Sequence, residues 1–127
     1  MRAKVLIIDD ELDSVRLIGY LLESEGYKIV AALNGERGIE KALAETPDLV
    51  ILDVMMPGMD GYEVCRRLRS NPQTASIPIL MFTAKSQLMN KVIGFESGAD
   101  EYLTKPIRPA ELLAGVERLL ARTQEGD

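Results

Sequence analysis

The chain has 127 residues, of which 46% are apolar and 28% charged, and its 15 basic and 20 acidic residues give a formal charge of -5. That is one domain's length, with enough apolar content for a core and too little for a membrane protein. The acidic balance argues against direct nucleic-acid binding by this domain, and the single Cys against any intrachain disulfide.

Residues 4–8 open the chain as a short apolar, β-branched run, and their continuous apolarity suits a strand covered on both faces. This run stops at Asp9, too short for a signal-peptide core. No stretch approaches the roughly 20 apolar residues of a membrane span. A cytoplasmic protein without membrane contact is the expectation.

Leu12, Val15, Ile18 and Leu22 follow at helical spacing, with Gly26 as the stop. Residues 29–33 read as a second strand. Asn34 then enters a helix with Ile39, Ala42 and Leu43 inward, closed by Thr46-Pro47. Residues 49–52 form a third strand. Asp60 can cap a third helix, with Cys65 and Leu68 inward and Asn71-Pro72 as its end; Cys65 reads as core, not as a reactive thiol. Residues 77–82 form a fourth strand.

Leu88, Val92 and Phe95 mark a fourth helix, ended by Gly98. With Met89 and Ile93 added, its apolar positions exceed one narrow stripe. Either the helix is buried more widely than usual, the simpler reading, or part of it faces a partner. Residues 102–104 form a fifth strand. Pro109 then fits the first turn of a fifth helix that buries Leu112, Leu113, Val116, Leu119 and Leu120. Residues 1–122 read as one domain and 123–127 as a tail. Five β-α repeats imply an α/β fold: a doubly wound parallel sheet with right-handed crossovers and helices on both faces.

Ligands of such sheets bind beyond the carboxyl ends of the strands. Here the first strand ends in Asp9-Asp10-Glu11, the third in Asp53, the fourth in Thr83-Ala84 and the fifth in Lys105-Pro106. Singly, each has a plain structural reading: an acidic helix start, a turn residue, a strand-end hydroxyl, a solvated charge. Jointly, three carboxylates, a hydroxyl and an ammonium would share one rim.

The strand ends, the stretch from Asp48 through Asp53 to Gly61, Thr83-Ala84-Lys85, Gly98-Ala99-Asp100 and the segment from Tyr102 to Pro106 together carry a resemblance. From about residue 4 to 122, the chain resembles the receiver domain of bacterial two-component response regulators. The resemblance implies a flavodoxin-like (βα)5 sandwich with strand order 2-1-3-4-5. It implies Asp53 as phosphoacceptor. It implies a magnesium ion, with manganese as a substitute, on Asp9, Asp10, Asp53 and the backbone carbonyl of Met55. Thr83, Ala84 and Lys105 would stabilise the phosphoryl group, the bond before Pro106 would be cis, and both Met55 and Met56 side chains would pack.

Thr83 and Tyr102 would form a switch that changes helix four, strand five and helix five. For Tyr102, ordinary strand packing is an equal reading. The implied donor is a phosphohistidine on a sensor histidine kinase or phosphotransfer protein, since this chain has no His. The implied recipient is a downstream effector protein or an attached domain. The domain would not be an enzyme in its own right, beyond self-catalysed phosphotransfer and autodephosphorylation.

Residues 98–122 resemble receivers of the winged-helix transcription-factor subfamily, whereas residues 59–68 also resemble receivers joined to cyclic-dinucleotide synthases and hybrid kinases. Gly115, Glu117 and Asn90 stand where winged-helix receivers carry charges that pair helices four and five. This argues against that particular homodimer, though not against a homodimer as such. Three rival readings compete. A haloacid-dehalogenase-type phosphatase would carry D-x-D after the first strand, where Asp9 and Asp10 are adjacent. A flavin or nucleotide carrier would need a Gly- or Ser/Thr-rich phosphate loop there. A degenerate, phosphorylation-independent receiver used as an interaction module would lack one of the acidic or Lys positions.

Overall fold

The computed structural model describes residues 2–84 and 88–125, with side chains given except at 88–90 and 123–125. Lys85 and the side chains of Leu88, Met89 and Asn90 therefore lie outside the described residues. The elements run β1 (Lys4–Ile8), α1 (Leu12–Ser24), β2 (Lys28–Ala32), α2 (Gly35–Glu45), β3 (Leu49–Asp53), α3 (Gly61–Ser70), β4 (Ile79–Thr83), α4 (Leu88–Glu96), β5 (Glu101–Thr104) and α5 (Pro109–Glu125). All five strands are parallel, in the order β2-β1-β3-β4-β5.

The continuous apolar runs lie at the sheet's centre. Every residue of β3 and β4 is buried, and so are four of the five in β1. Alternation then divides them between two cores. Val5, Ile7, Leu49, Ile51, Leu80 and Phe82 pack with residues of α1 and α5. Leu6, Ile8, Val50, Leu52, Ile79 and Met81 pack with residues of α2 and α3 and with Tyr102. Each face is closed by helices, so the sheet needs apolar residues on both sides. Cys65 is fully buried in the second core, and burial pushes its thiol pKa up, as a structural cysteine requires.

The helix starts follow the expected chemistry. Asn34 Oδ1 accepts from Arg37 N at 2.8 Å and Asp60 Oδ1 from Glu63 N at 3.0 Å, each satisfying a first-turn amide. Removing either cap costs about 1 kcal/mol in typical cases. Glu11 holds the same place on α1 without a side-chain cap bond.

Several boundaries move by one or two residues. β2 begins at Lys28 and ends at Ala32, β3 takes in Asp53, β4 runs Ile79–Thr83, and β5 begins at Glu101. Helix α5 continues to Glu125, past Thr123 where a tail was expected. Leu12 does not join the buried stripe of α1: it is the first helical residue and stays exposed, so burial begins at Val15.

The larger correction concerns α4. Val92, Ile93 and Phe95 are all exposed, and the buried position between them is Gly94. The simpler reading, a widely buried helix, therefore fails. The helix approaches the sheet through its smallest residue and leaves bulky apolar ones outside.

A polar brace fixes the opposite end of the sheet. Arg69, near the end of α3, donates from Nε to Gly98 O (2.9 Å), from one terminal nitrogen to Ala75 O (3.0 Å) and Ile77 O (2.6 Å), and from the other to Asp100 Oδ2 (2.7 Å). Asp100 Oδ2 also accepts from Ile79 N at 2.9 Å. One guanidinium thus ties α3, the start of β4 and the α4–β5 turn together, using its planar fork of donors.

Candidate functional site

The register places the acidic residues. Ile8 of β1 is opposite Leu52 of β3, so one step further Asp9 stands beside Asp53. Carboxylate oxygens of Asp9, Asp10 and Asp53 lie within 4.8 Å of one another. Asp9 and Asp53 are 2% and 3% exposed while Asp10 faces solvent, so the cluster is open on one side only. Asp9 also folds back locally, its Oδ1 accepting from Glu11 N at 2.9 Å. The acidic run therefore serves the start of α1 and the cluster together.

The cation arrives from β5. Lys105 N donates to Thr83 O at 2.7 Å, which anchors the end of β5 to the end of β4. Its ammonium Nζ then lies 3.4 Å from Asp53 Oδ1, 3.4 Å from Asp9 Oδ2 and 2.9 Å from Glu11 Oε1. The Lys105–Pro106 bond is cis. Thr83 is fully buried at the end of β4, and Ala84 after it is exposed. Met55 and Met56 occupy the loop after β3. Met56 is buried, but the Met55 side chain is half exposed, so only one of the two expected to pack does so.

The electrostatics are those of carboxylates lacking sufficient positive charge. Burial raises the Asp53 pKa from 3.8 to about 6; Asp9 and Asp10 add to the rise, and Lys105 opposes it. Burial also raises that of Asp9, against the Glu11 amide and Lys105. Burial works against the charge of Lys105, but Glu11, Asp53 and Asp9 outweigh it and hold the ammonium above its ordinary pKa. A divalent cation would relieve this repulsion, and the donor set is all hard oxygen. The residues present fit magnesium.

Two further residues shape the site without contributing chemistry. Gly61 opens α3 and donates to Val54 O at 2.9 Å. A Cβ there would lie 2.7 Å from Val54 Cα and press on the Asp53 carbonyl oxygen, so the helix can approach the loop after β3 only as glycine. The sequence showed Gly61 as part of a motif but not this contact. Gly61→Ala is expected to destabilise the fold by about 1–3 kcal/mol. It should also shift the Asp53 and Val54 amide resonances; unchanged resonances would refute the contact.

Tyr102 of β5 is 7% exposed, within the second core. Its ring centroid is 6.3 Å from that of Phe95. The Tyr62 phenol is its polar neighbour, held above the usual phenol range by burial and then by Tyr102. Among the described residues, no contact of the Tyr102 hydroxyl meets full hydrogen-bond geometry.

Residues 5–117 match the family model of the response regulator receiver domain. The chain belongs to that family. It is 48% identical over 124 residues to the alkaline phosphatase synthesis transcriptional regulatory protein PhoP of Bacillus subtilis, covering 98% of this chain and 51% of that protein. The receiver thus spans about half the length of the curated relatives it matches. Among solved structures it is similar to the Vibrio cholerae chemotaxis protein CheY4, with a TM-score of 0.89, 34% identity and coverage of 94% and 99% of the two chains. A CheY-like receiver domain protein from Methanospirillum hungatei superposes with a TM-score of 0.93 at 27% identity, covering 100% of both chains. The receiver fold and strand order expected from the resemblance are those observed. No helix among the described residues is long and apolar enough to cross a membrane.

Proposed function

We propose that this receiver accepts a phosphoryl group on Asp53 and, in doing so, changes the surface formed by α4, β5 and α5. The observation that carries the reading is the convergence of Asp9, Asp10, Asp53 and Lys105 at one rim of the sheet.

Asp9, Asp10, Asp53 and the Met55 carbonyl would hold the magnesium ion, with manganese as its substitute. When bound, the ion supplies positive charge to the attacking carboxylate and to the phosphoryl oxygens. Asp53 attacks phosphorus; one carboxylate oxygen forms the new P–O bond as the bond to the donor's leaving group breaks. Lys105 is held within reach of Asp53 by the Thr83–Lys105 backbone bond and balances charge from the other side. The Thr83 hydroxyl and Ala84 amide donate to phosphoryl oxygens. The modification adds about -1.5 to -2 charges and three acceptors, enough to draw Thr83 and let Tyr102 report the change.

A phosphohistidine of a sensor histidine kinase or phosphotransfer protein is the proposed donor, and a cytoplasmic effector protein or a further domain the recipient. The transcriptional role in the name of the Bacillus relative makes a recipient that controls transcription the preferred case. Asp10→Ala is expected to weaken magnesium binding about tenfold or more while the fold persists. Titration that finds unchanged affinity would remove Asp10 from the metal site.

A further inference from the structure

We propose that Gly94 is the seat of Tyr102: the missing side chain on α4 is what allows the Tyr102 ring to occupy its buried position, so residue 94 sets the balance of the switch. A Cβ built on Gly94 would lie 2.7 Å from Tyr102 Cδ2, 2.8 Å from Cε2 and 3.3 Å from Met81 Sδ. The first two separations are far inside van der Waals contact, and they involve one edge of a rigid ring.

The helix has little freedom to withdraw. Gly94 O accepts from Ser97 Oγ at 2.7 Å and from Ala99 N at 3.2 Å. Ser97 and Ala99 are themselves buried. This backbone is pinned at the turn into β5, whereas the Tyr102 ring can rotate about its own side-chain bonds. Any residue larger than glycine at 94 is therefore accommodated by moving the ring outward.

The ring then leaves Met81 and changes its contact with Phe95, which is 6.3 Å away by centroid and belongs to the exposed apolar surface of α4. Gly94 is thus a positioning residue, acting through Tyr102. Its effect on phosphorylation rests on the reading of Tyr102 as part of the switch; its effect on the ring does not. Intrinsic helix propensity gives no reason for glycine here, since Ala is the better helix former.

The test has two arms. In the first, the chain carries 13C at the tyrosine ring ε positions, and the Tyr102 resonance is assigned by its loss in Tyr102→Phe. In the unmodified chain this resonance should resist a soluble paramagnetic quencher. In Gly94→Ala it should broaden toward the behaviour of Tyr20, which is 70% exposed. An unchanged, protected resonance overturns the proposal. If Gly94→Ala does not fold, Gly94→Ala with Tyr102→Ala should fold, because the space is restored; failure of the double variant also overturns it.

In the second arm, beryllofluoride with magnesium serves as the phosphoryl mimic. Gly94→Ala should bind it about tenfold more weakly, a coupling of ordinary size, yet change binding by less than about twofold in the Tyr102→Ala background. Equal losses in both backgrounds would overturn the link to the switch. If the unmodified chain fails to bind the mimic, the phosphoacceptor reading falls, while the ring arm still decides the seat.

Discussion

Asp53→Asn should abolish phosphoryl incorporation from a small phosphodonor with magnesium and, in the metal-free protein, make the fold more stable at neutral pH. The two effects share one cause. In the folded chain Asp53 is buried beside Asp9 and Asp10, and its pKa rises from 3.8 to about 6. A carboxylate with a raised folded pKa contributes stability that is complete below the unfolded value. That contribution is lost as pH rises from 3.8 through about 6. Above that window, ionised Asp53 costs the fold about 3 kcal/mol.

Asparagine has nearly the same shape and no charge, but it gives up the contact with Lys105 at 3.4 Å. A net gain of about 1–3 kcal/mol at pH 7 remains, or about 3–10 °C in Tm for a domain of this size. The gain should close as pH falls from about 6 to below 3.8, because Asp53 is then protonated in both states. Thermal unfolding with a chelator present, repeated across pH, measures it. A difference independent of pH would show that Asp53 does not carry the strain. Retained phosphoryl incorporation in the variant would move the acceptor elsewhere.

Arg69→Ala should be among the most destabilising changes away from the site, at about 2–4 kcal/mol. The substitution leaves three carbonyls without their donor and Asp100 without its cation. Asp100 keeps its bond from Ile79 N, so its carboxylate stays in place with uncompensated charge. The figure is set below that for a fully buried pair because the side chains are 23% and 27% exposed. Arg69→Lys should recover only part of the loss, since an ammonium cannot reproduce a fork that reaches four oxygens. Urea unfolding checks both variants. A midpoint for Arg69→Ala within experimental error of the unmodified chain would show that the brace is not a stabilising element.

The two sites differ in how visible they are before folding. Asp9, Asp53, Thr83 and Lys105 each follow a run of strand character, and parallel β-α repetition brings strand ends to one rim whatever the details of packing. Their convergence was legible for that reason. Arg69 was not, because its four acceptors come from the α3–β4 connection, the α4–β5 turn and Asp100. Nothing about an arginine near a helix end announces that a turn some 30 residues later will fold onto it. Gly61 and Gly94 were hidden in the same way, since a glycine's reason lies in the atom that approaches it.

The α4 helix shows the limit of periodicity. Its apolar residues implied burial, yet among its described positions the buried one is Gly94, and Val92, Ile93 and Phe95 point outward. Hydrophobic spacing reports which residues could be inside; how closely two elements approach is a property of the pair.

What the sequence determined by itself is the alternation of strands and helices and, through parallel connection, the rim on which its acidic and basic groups meet. Local chemistry suffices for both, because hydrophobic period and handed crossovers act over short stretches of chain. The tertiary structure alone decided the pKa of Asp53, the inward place of Tyr102 and the outward face of α4. Each depends on distances of a few ångströms between residues far apart in the chain, and burial and contact at that range exist only after the chain has folded.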